Sequence, residues 1–346
     1  MQELKIIRPD DWHVHLRQDG DLSATVRETA SVFRRALIMP NTRPPILTWD
    51  DVVSYVLRIQ DKVPDEHVGK FVPLMAIQIT ADTKPFDIIA CDNAVCPAGK
   101  LYPAGVTTNS DNGVTDFKAL YPVFAQMEKS GKVLCVHGEM PGDHLDEDDR
   151  EAAFLGTLWD LAHDFPELRI VLEHVSTADA VRAVERYPDN VAATITAHHL
   201  TLTKNDLYGG TLQPHHFCKP VVKRMSDRAA LVAAATGGNP KFFFGSDSAP
   251  HVKGLKECSD GCAGIFSAPT CLPVLAEVFE TAGALDRLEA FVSRHGMAFY
   301  RQPENYYGLP EAGTITLRKE AWTVPERIDK RFVPFRAGRT LSWKVG

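Results

Sequence analysis

Val133-Leu134-Cys135-Val136-His137 is a run of four apolar residues closed by a histidine, and Ile170-Val171-Leu172-Glu173-His174 repeats the arrangement downstream. Short apolar runs of this kind read as strands buried on both faces. Working outward from these two, taken as Val133–His137 and Arg169–His174, the same reading gives Asp11–Leu16, Arg35–Met39, Val72–Ile79, Gly99–Tyr102, Ala192–Thr196 and Phe242–Ser246, eight strands in all. Helical spacing fills most of the intervals. Val52, Tyr55, Val56 and Ile59 share one face of Thr48–Asp61, with Thr48 and Asp51 spaced as a capping box. Phe117, Leu120, Phe124 and Met127 form a second stripe, stopped by Gly131. Ser176–Tyr187 opens on Ser176 and Asp179 in capping spacing, and Ser226–Thr236, Leu272–Thr281, Asp149–His163 and Ser23–Arg34 read as further helices.

Strands alternating with helices call for a parallel α/β architecture, either an open doubly wound sheet or a closed barrel. The phosphate-cradling patterns G-x-G-x-x-G and G-x-x-x-x-G-K-[ST] do not occur, and eight strands match the (β/α)8 TIM barrel. At about 150 residues per domain the 346 residues allow two domains, but a barrel accommodates the whole length. The expectation is one domain over residues 1–346, with the barrel at about 5–285 and a Pro- and Arg-containing C-terminal extension at about 286–346 packed against it.

Charge and composition narrow the function classes. Lys plus Arg is 38 and Asp plus Glu is 45, so the net charge is 38 − 45 = −7. That lacks the positive field a nucleic-acid binder needs. At 44% hydrophobic and 24% charged the chain has the composition of a folded domain. No apolar run approaches a membrane span, and the N-terminal stretch carries Glu3, Lys5, Arg8, Asp10 and Asp11 where a secretory signal would be apolar. Seven cysteines without repeated spacing suit reduced thiols and a cytoplasmic location. Cys258-x3-Cys262 has no second pair to complete a zinc site.

The chemistry gathers at strand ends. His13-x-His15 would point two imidazoles to one face of a strand, the interior in a barrel, and Arg17 would continue that face. Lys100, His137, His174 and Asp247 each stand near the end of another strand, the catalytic face of such barrels. Individually these are an edge lysine, core histidines and a helix-capping aspartate. Together, on five strands, they form a candidate metal centre.

In Asp11-Trp12-His13-Val14-His15-Leu16-Arg17, Met39-Pro40-Asn41, Lys100-Leu101-Tyr102-Pro103-Ala104, Thr107-Thr108-Asn109-Ser110, Val136-His137-Gly138-Glu139, Glu173-His174, Gly245-Ser246-Asp247-Ser248-Ala249-Pro250-His251 and Cys262-Ala263-Gly264, the chain resembles the metal-dependent amidohydrolase superfamily, and within it the shorter bacterial type of dihydroorotase. The resemblance covers nearly the whole chain. It implies two zinc ions per subunit, one held by His13, His15 and Asp247 and the other by His137 and His174. Lys100, carboxylated at its side-chain nitrogen, would bridge both. It implies reversible cyclisation of N-carbamoyl-L-aspartate to L-dihydroorotate in pyrimidine synthesis, with Asp247 as general base. Arg17, Asn41 and His251 would clamp the substrate carboxylate, and main-chain groups near Lys219 and Ala263 would recognise the ring. Thr107 and Thr108 would reach in from a closing loop at Gly105–Gly113. By analogy the enzyme would be a homodimer.

Three positions depart from the pattern. Ala197-His198-His199 stands where similar enzymes carry Pro-Gln-His, Lys219 where leucine is common, and Ser246 where threonine is common. His67, His144, His163, His215, His216 and His295 have no matched role. Two alternatives remain at this point: a hydantoinase or dihydropyrimidinase, which opens uncharged rings and has less need of Arg17 and Asn41, and a catalytically dead barrel acting as a scaffold, which would be expected to lose metal ligands.

Overall fold

The apolar runs become strands almost where the sequence places them. The computed structural model describes residues 2–107, 110, 113–303 and 313–346. After a first strand, β1 (Glu3–Ile7), come β2 (Asp10–Val14), β3 (Arg35–Ile38), β4 (Val72–Ile79), β5 (Ala98–Leu101), β6 (Val133–His137), β7 (Arg169–Glu173), β8 (Val191–Ile195) and β9 (Phe242–Phe244). Strands β2 to β9 pair in parallel in chain order. The ends of the sheet meet through a parallel bridge between Val14 and Ser248, with Asp247 N–H donating to the His13 carbonyl at 2.8 Å and His15 N–H to the Ser248 carbonyl at 3.0 Å. This is a (β/α)8 TIM barrel.

Helices cover the outside for the reasons their sequences give. Trp49–Gln60 starts at a capping box formed by Thr48 and Asp51 and buries Val52, Tyr55 and Ile59. Arg150–Asp164 buries Phe154, Leu158 and Leu161 at helical spacing. One expectation is corrected. The helix Ala178–Arg186 is capped by Thr177, whose hydroxyl accepts from Ala180 N–H at 3.1 Å, while Ser176 N–H donates to Glu151. Ser176 therefore lies one residue too early to cap. A short helix at Pro85–Ala90 has too few residues to show a stripe and went unread.

Outside the barrel, β1 pairs antiparallel with β10 (Thr314–Arg318), which also pairs with β13 (Lys344–Val345); β11 (Trp322–Thr323) pairs with β12 (Thr340–Leu341). Alternation within β1 and β10 is brief, and their partners are some 300 residues apart in the chain, so no local pattern announces them.

Inside the barrel the floor is apolar. Trp12, Leu37, Leu74, Ala76, Ala98, Val133, Cys135, Val171, Ala192 and Phe243 fill it, and Tyr300 plugs it from below by stacking on Trp12 at 4.3 Å between ring centroids. Gly296 makes that plug possible, because a Cβ there would overlap the Trp12 indole. The alternation that packs the floor also delivers the mouth. Two residues beyond Ala98 comes Lys100, and two beyond Cys135 comes His137.

Candidate active site

Strand β2 reaches the mouth by a different route from the one its sequence suggests. Its register against β3 slips between Asp11 and Val14, so three steps on β2 face two on β3. A bulge of this kind turns consecutive residues toward one side. Trp12 thus packs in the floor while its neighbour His13 faces the mouth, where His15 joins it; the bulge breaks alternation between 12 and 13. Asp11 holds the bulge: its Oδ1 accepts from His13 N–H at 3.1 Å and from Ser246 N–H at 2.8 Å. Burial pushes the Asp11 carboxyl up to about 7. Arg17, expected to continue the same face, lines the same cavity and sits at φ +63°. His174 and Asp247 also have left-handed backbones, at φ +42° and +40°. Each lies just past its strand, at the turn that redirects its side chain.

The mouth brings His13, His15, Arg17, Asn41, Thr107, His137, His174, Lys219, Asp247 and Ala263 around one cavity, together with Tyr102. Thr108 lies outside the described residues. His251 borders the adjoining groove with Arg17 and Asn41. Donor atoms of His13, His15 and Asp247 all lie within 4.8 Å of one another. Asp247 Oδ1 is 3.2 Å from His15 Nε2 and 3.5 Å from His13 Nε2. The His13 and His174 ring centroids are 4.9 Å apart, and those of His137 and His174 are 4.7 Å apart. Gly245 lets β9 come this close, since a Cβ there would sit 3.0 Å from both His13 Cβ and Thr194 Cβ.

Buried carboxylates orient these rings. His13 Nδ1 donates to Glu173 Oε2 at 2.8 Å, which leaves the Nε2 lone pair facing the cavity. Thr194 Oγ1 donates to the same Glu173 oxygen at 2.6 Å and accepts from His174 N–H at 2.6 Å. His137 Nε2 donates to Glu139 Oε2 at 2.6 Å, leaving Nδ1 as its free lone pair. Glu173, Glu139, Thr194 and Asp11 hold the groups around the cavity in place, and the motifs assigned them no role. The signal was present for two of them, a carboxylate adjoining His174 and another two residues past His137.

The electrostatics favour a cation. Burial drives three of these imidazoles toward neutrality: His15 to about 4, His137 lowered, and His174 pushed well below its ordinary range, with His137, His13 and Lys100 adding to the effect on His174. Burial alone would raise the Asp247 carboxyl, but the hydrogen bond from His15, with His13 close beside it, outweighs burial and holds the group below the usual carboxylate range. Burial pushes the Lys100 ammonium down. Lys100 is fully buried, and its Nζ has no hydrogen-bond partner among the described residues; neither does His174 Nδ1. Buried polar atoms left this way cost about 1–3 kcal/mol each. Buried imidazoles and an ionised carboxylate around one cavity, with the unsatisfied Lys100 nitrogen buried on the neighbouring strand, fit a metal centre.

Beside it lies the guanidinium of Arg17. Arg17 Nε donates to the Pro250 carbonyl at 2.8 Å. His251 Nε2 lies 3.0 Å from both Arg17 Nη2 and the Ala263 carbonyl oxygen, and each His251 tautomer satisfies only one of the two. Burial and the Arg17 charge bring His251 down to about 3. Lys219 Nζ pairs with Glu147 Oε2 at 2.5 Å, so its charge is partnered at the rim.

Comparison with known proteins decides the family. The chain is 48% identical to the dihydroorotase of Teredinibacter turnerae, over 99% of this chain and 98% of that one, and 49% identical to that of Vibrio cholerae over the full length of both. It belongs to the dihydroorotase family. Among solved structures, Saccharomyces cerevisiae dihydroorotase in complex with 5-fluoroorotic acid superposes with a TM-score of 0.92 at 37% identity, covering 100% of this chain and 99% of that one. Campylobacter jejuni dihydroorotase gives 0.89, also at 37%, over 99% and 97%. The L-hydantoinase of Arthrobacter aurescens shares the fold, with a TM-score of 0.80 at 16% identity over 99% of this chain and 83% of that one. No family model matches. As a member of the dihydroorotase family the protein is a hydrolase of cyclic amides, and its relatives imply a metal cofactor. Among the described residues no helix is long and apolar enough to cross a membrane.

Proposed function

We propose that the protein interconverts N-carbamoyl-L-aspartate and L-dihydroorotate at a centre of two zinc ions, one held by His13, His15 and Asp247, the other by His137 and His174, with N6-carboxylated Lys100 bridging them. The observation that carries this reading is Lys100. An ammonium in that position would repel a cation; burial favours the neutral amine, and its unsatisfied nitrogen would be relieved by adding to carbon dioxide, with loss of a proton to solvent, to give an anionic carbamate with two oxygen donors. When bound, the metal supplies Lewis acidity toward the ring carbonyl and lowers the pKa of water. Asp247 then carries a proton at its carboxylate between the attacking water and the ring nitrogen, and returns it in the cyclising direction. Glu173 and Glu139 fix the His13 and His137 tautomers. Arg17, with Asn41 and His251, grips the substrate carboxylate, for which a guanidinium fork is suited. The main chain at Lys219 and Ala263 meets the ring, and Thr107 and Thr108 close over it.

We also read residues 1–346 as one domain of a cytoplasmic homodimer, by analogy with similar enzymes, and sedimentation of the purified protein tests the oligomer. The central test is metal analysis combined with assays on dihydroorotate and on uncharged dihydrouracil. Zinc-replete protein that turns over dihydroorotate and prefers it supports the reading. Zinc-replete protein without that activity overturns it, and faster opening of dihydrouracil favours a hydantoinase.

A further inference from the structure

His198, His199 and Cys218 lie outside the cavity just described, at 0%, 2% and 1% exposure, and offer two imidazoles and a thiol whose donor atoms all fall within 4.8 Å of one another. Neither ring nitrogen of His198 has a hydrogen-bond partner among the described residues. A neutral imidazole needs one donor and one acceptor satisfied, and burying both without partners is a cost natural cores rarely bear. Its neighbours point to what would satisfy it. His199 Nε2 and Cys218 Sγ approach the same carbonyl oxygen, that of Pro220, at 3.0 and 3.2 Å, and lie 3.9 Å from each other. Ligands around a tetrahedral zinc, at about 2.0–2.1 Å for nitrogen and about 2.3 Å for sulfur, stand roughly 3.3–3.7 Å apart. The other His199 nitrogen, Nδ1, is 2.9 Å from Thr196 Oγ1, the kind of outer contact that orients a ligating imidazole.

We infer that His198, His199 and Cys218 form a further zinc site, with the Pro220 carbonyl oxygen as fourth ligand, pinning the end of β8 to the loop before the helix Met225–Thr236. Burial holds the Cys218 thiol protonated without a cation, pushed up to about 12; a coordinating thiol loses its proton outright. One proton, from the thiol, leaves to solvent. The His199 proton moves from Nε2 to Nδ1, where Thr196 Oγ1 accepts it. Two imidazoles and a thiolate select a soft or borderline ion such as zinc over magnesium or calcium.

The site is distinguishable from the first because it alone contains sulfur. The full-length protein is stripped of metal, reloaded with Co²⁺, and read for thiolate-to-cobalt charge-transfer absorption in the near ultraviolet, with metal content measured per chain. The inference expects that absorption in the wild type, its loss in Cys218→Ala and His198→Gln, and one ion fewer per chain in each. No such band in the wild type, a band that survives Cys218→Ala, or metal content equal in His198→Gln and wild type overturns it. Should Cys218→Ala fail to fold, His198→Gln decides the matter alone. Because the readout is sulfur-specific, failure here leaves the two-zinc reading of the mouth untouched, and failure of that reading does not remove the band.

Discussion

The floor and the mouth of the barrel are made by the same strands and share almost nothing else. In β6, Val133 and Cys135 pack below and His137 stands above; in β5, Ala98 packs below and Lys100 stands above. The floor is apolar and plugged by the stacked Trp12 and Tyr300 rings. The mouth has buried carboxylates, buried imidazoles and an amine with no hydrogen-bond partner among the described residues. One step of strand alternation separates side chains that pack the floor from side chains that carry the chemistry of the mouth. Stability and chemistry are therefore separable by substitution, even within one strand.

The largest effect expected is at the mouth. Lys100→Ala should lower turnover by roughly 10³-fold or more, the scale seen when a preorganised electrostatic element is removed, and most of the metal should go with it by elemental analysis, while the melting transition stays cooperative. Wild-type metal content in that variant would separate Lys100 from the centre. Phe243→Ala, on the floor, should do the reverse. Loss of a fully buried ring costs about 3–5 kcal/mol in denaturant unfolding, with kcat and metal content of the folded protein kept. A collapse of kcat without loss of stability would erase the distinction between floor and mouth.

Two smaller tests sharpen it. Arg17→Ala removes charge-assisted bonds worth about 1.5–3 kcal/mol, so kcat/KM should fall roughly 10- to 100-fold, mostly through KM if the contact is equal in ground and transition states. Unchanged kinetics would take Arg17 out of the clamp. Glu151, buried behind the mouth with Ser176 N–H and Thr177 Oγ1 as donors, is pushed by burial from 4.5 up to about 7. Its folded form prefers the proton, so its contribution is fully present below about pH 4.5 and is lost as pH rises to about 7. Melting temperatures of Glu151→Gln and wild type should therefore diverge across that window, in favour of the variant. Parallel curves would show that Glu151 is ionised throughout.

Much of this was legible in the sequence because the signals were local. Eight apolar runs became eight strands with ends within two residues of their true positions, and five of them carry the polar residues gathered at the mouth. What went unread depended on distance along the chain. The pairing of β1 with β10 joins Glu3 to Arg318. The bulge in β2 is visible only against β3, so Trp12 and His13 facing inward together could not be foreseen from alternation. Glu173 sits at an alternating inward position of β7, and its partner His13 lies 160 residues away. His198, read only as a departure from similar enzymes, gains meaning from Cys218 on another segment.

Arg17, His174 and Asp247 hold left-handed backbones, a conformation that costs a residue bearing a Cβ about 1–2 kcal/mol. Glycine and asparagine take it more cheaply. Selection for thermal stability alone would therefore drive these three positions toward Gly or Asn, and a library screened without a turnover assay should lose the enzyme first at the residues that aim its chemistry.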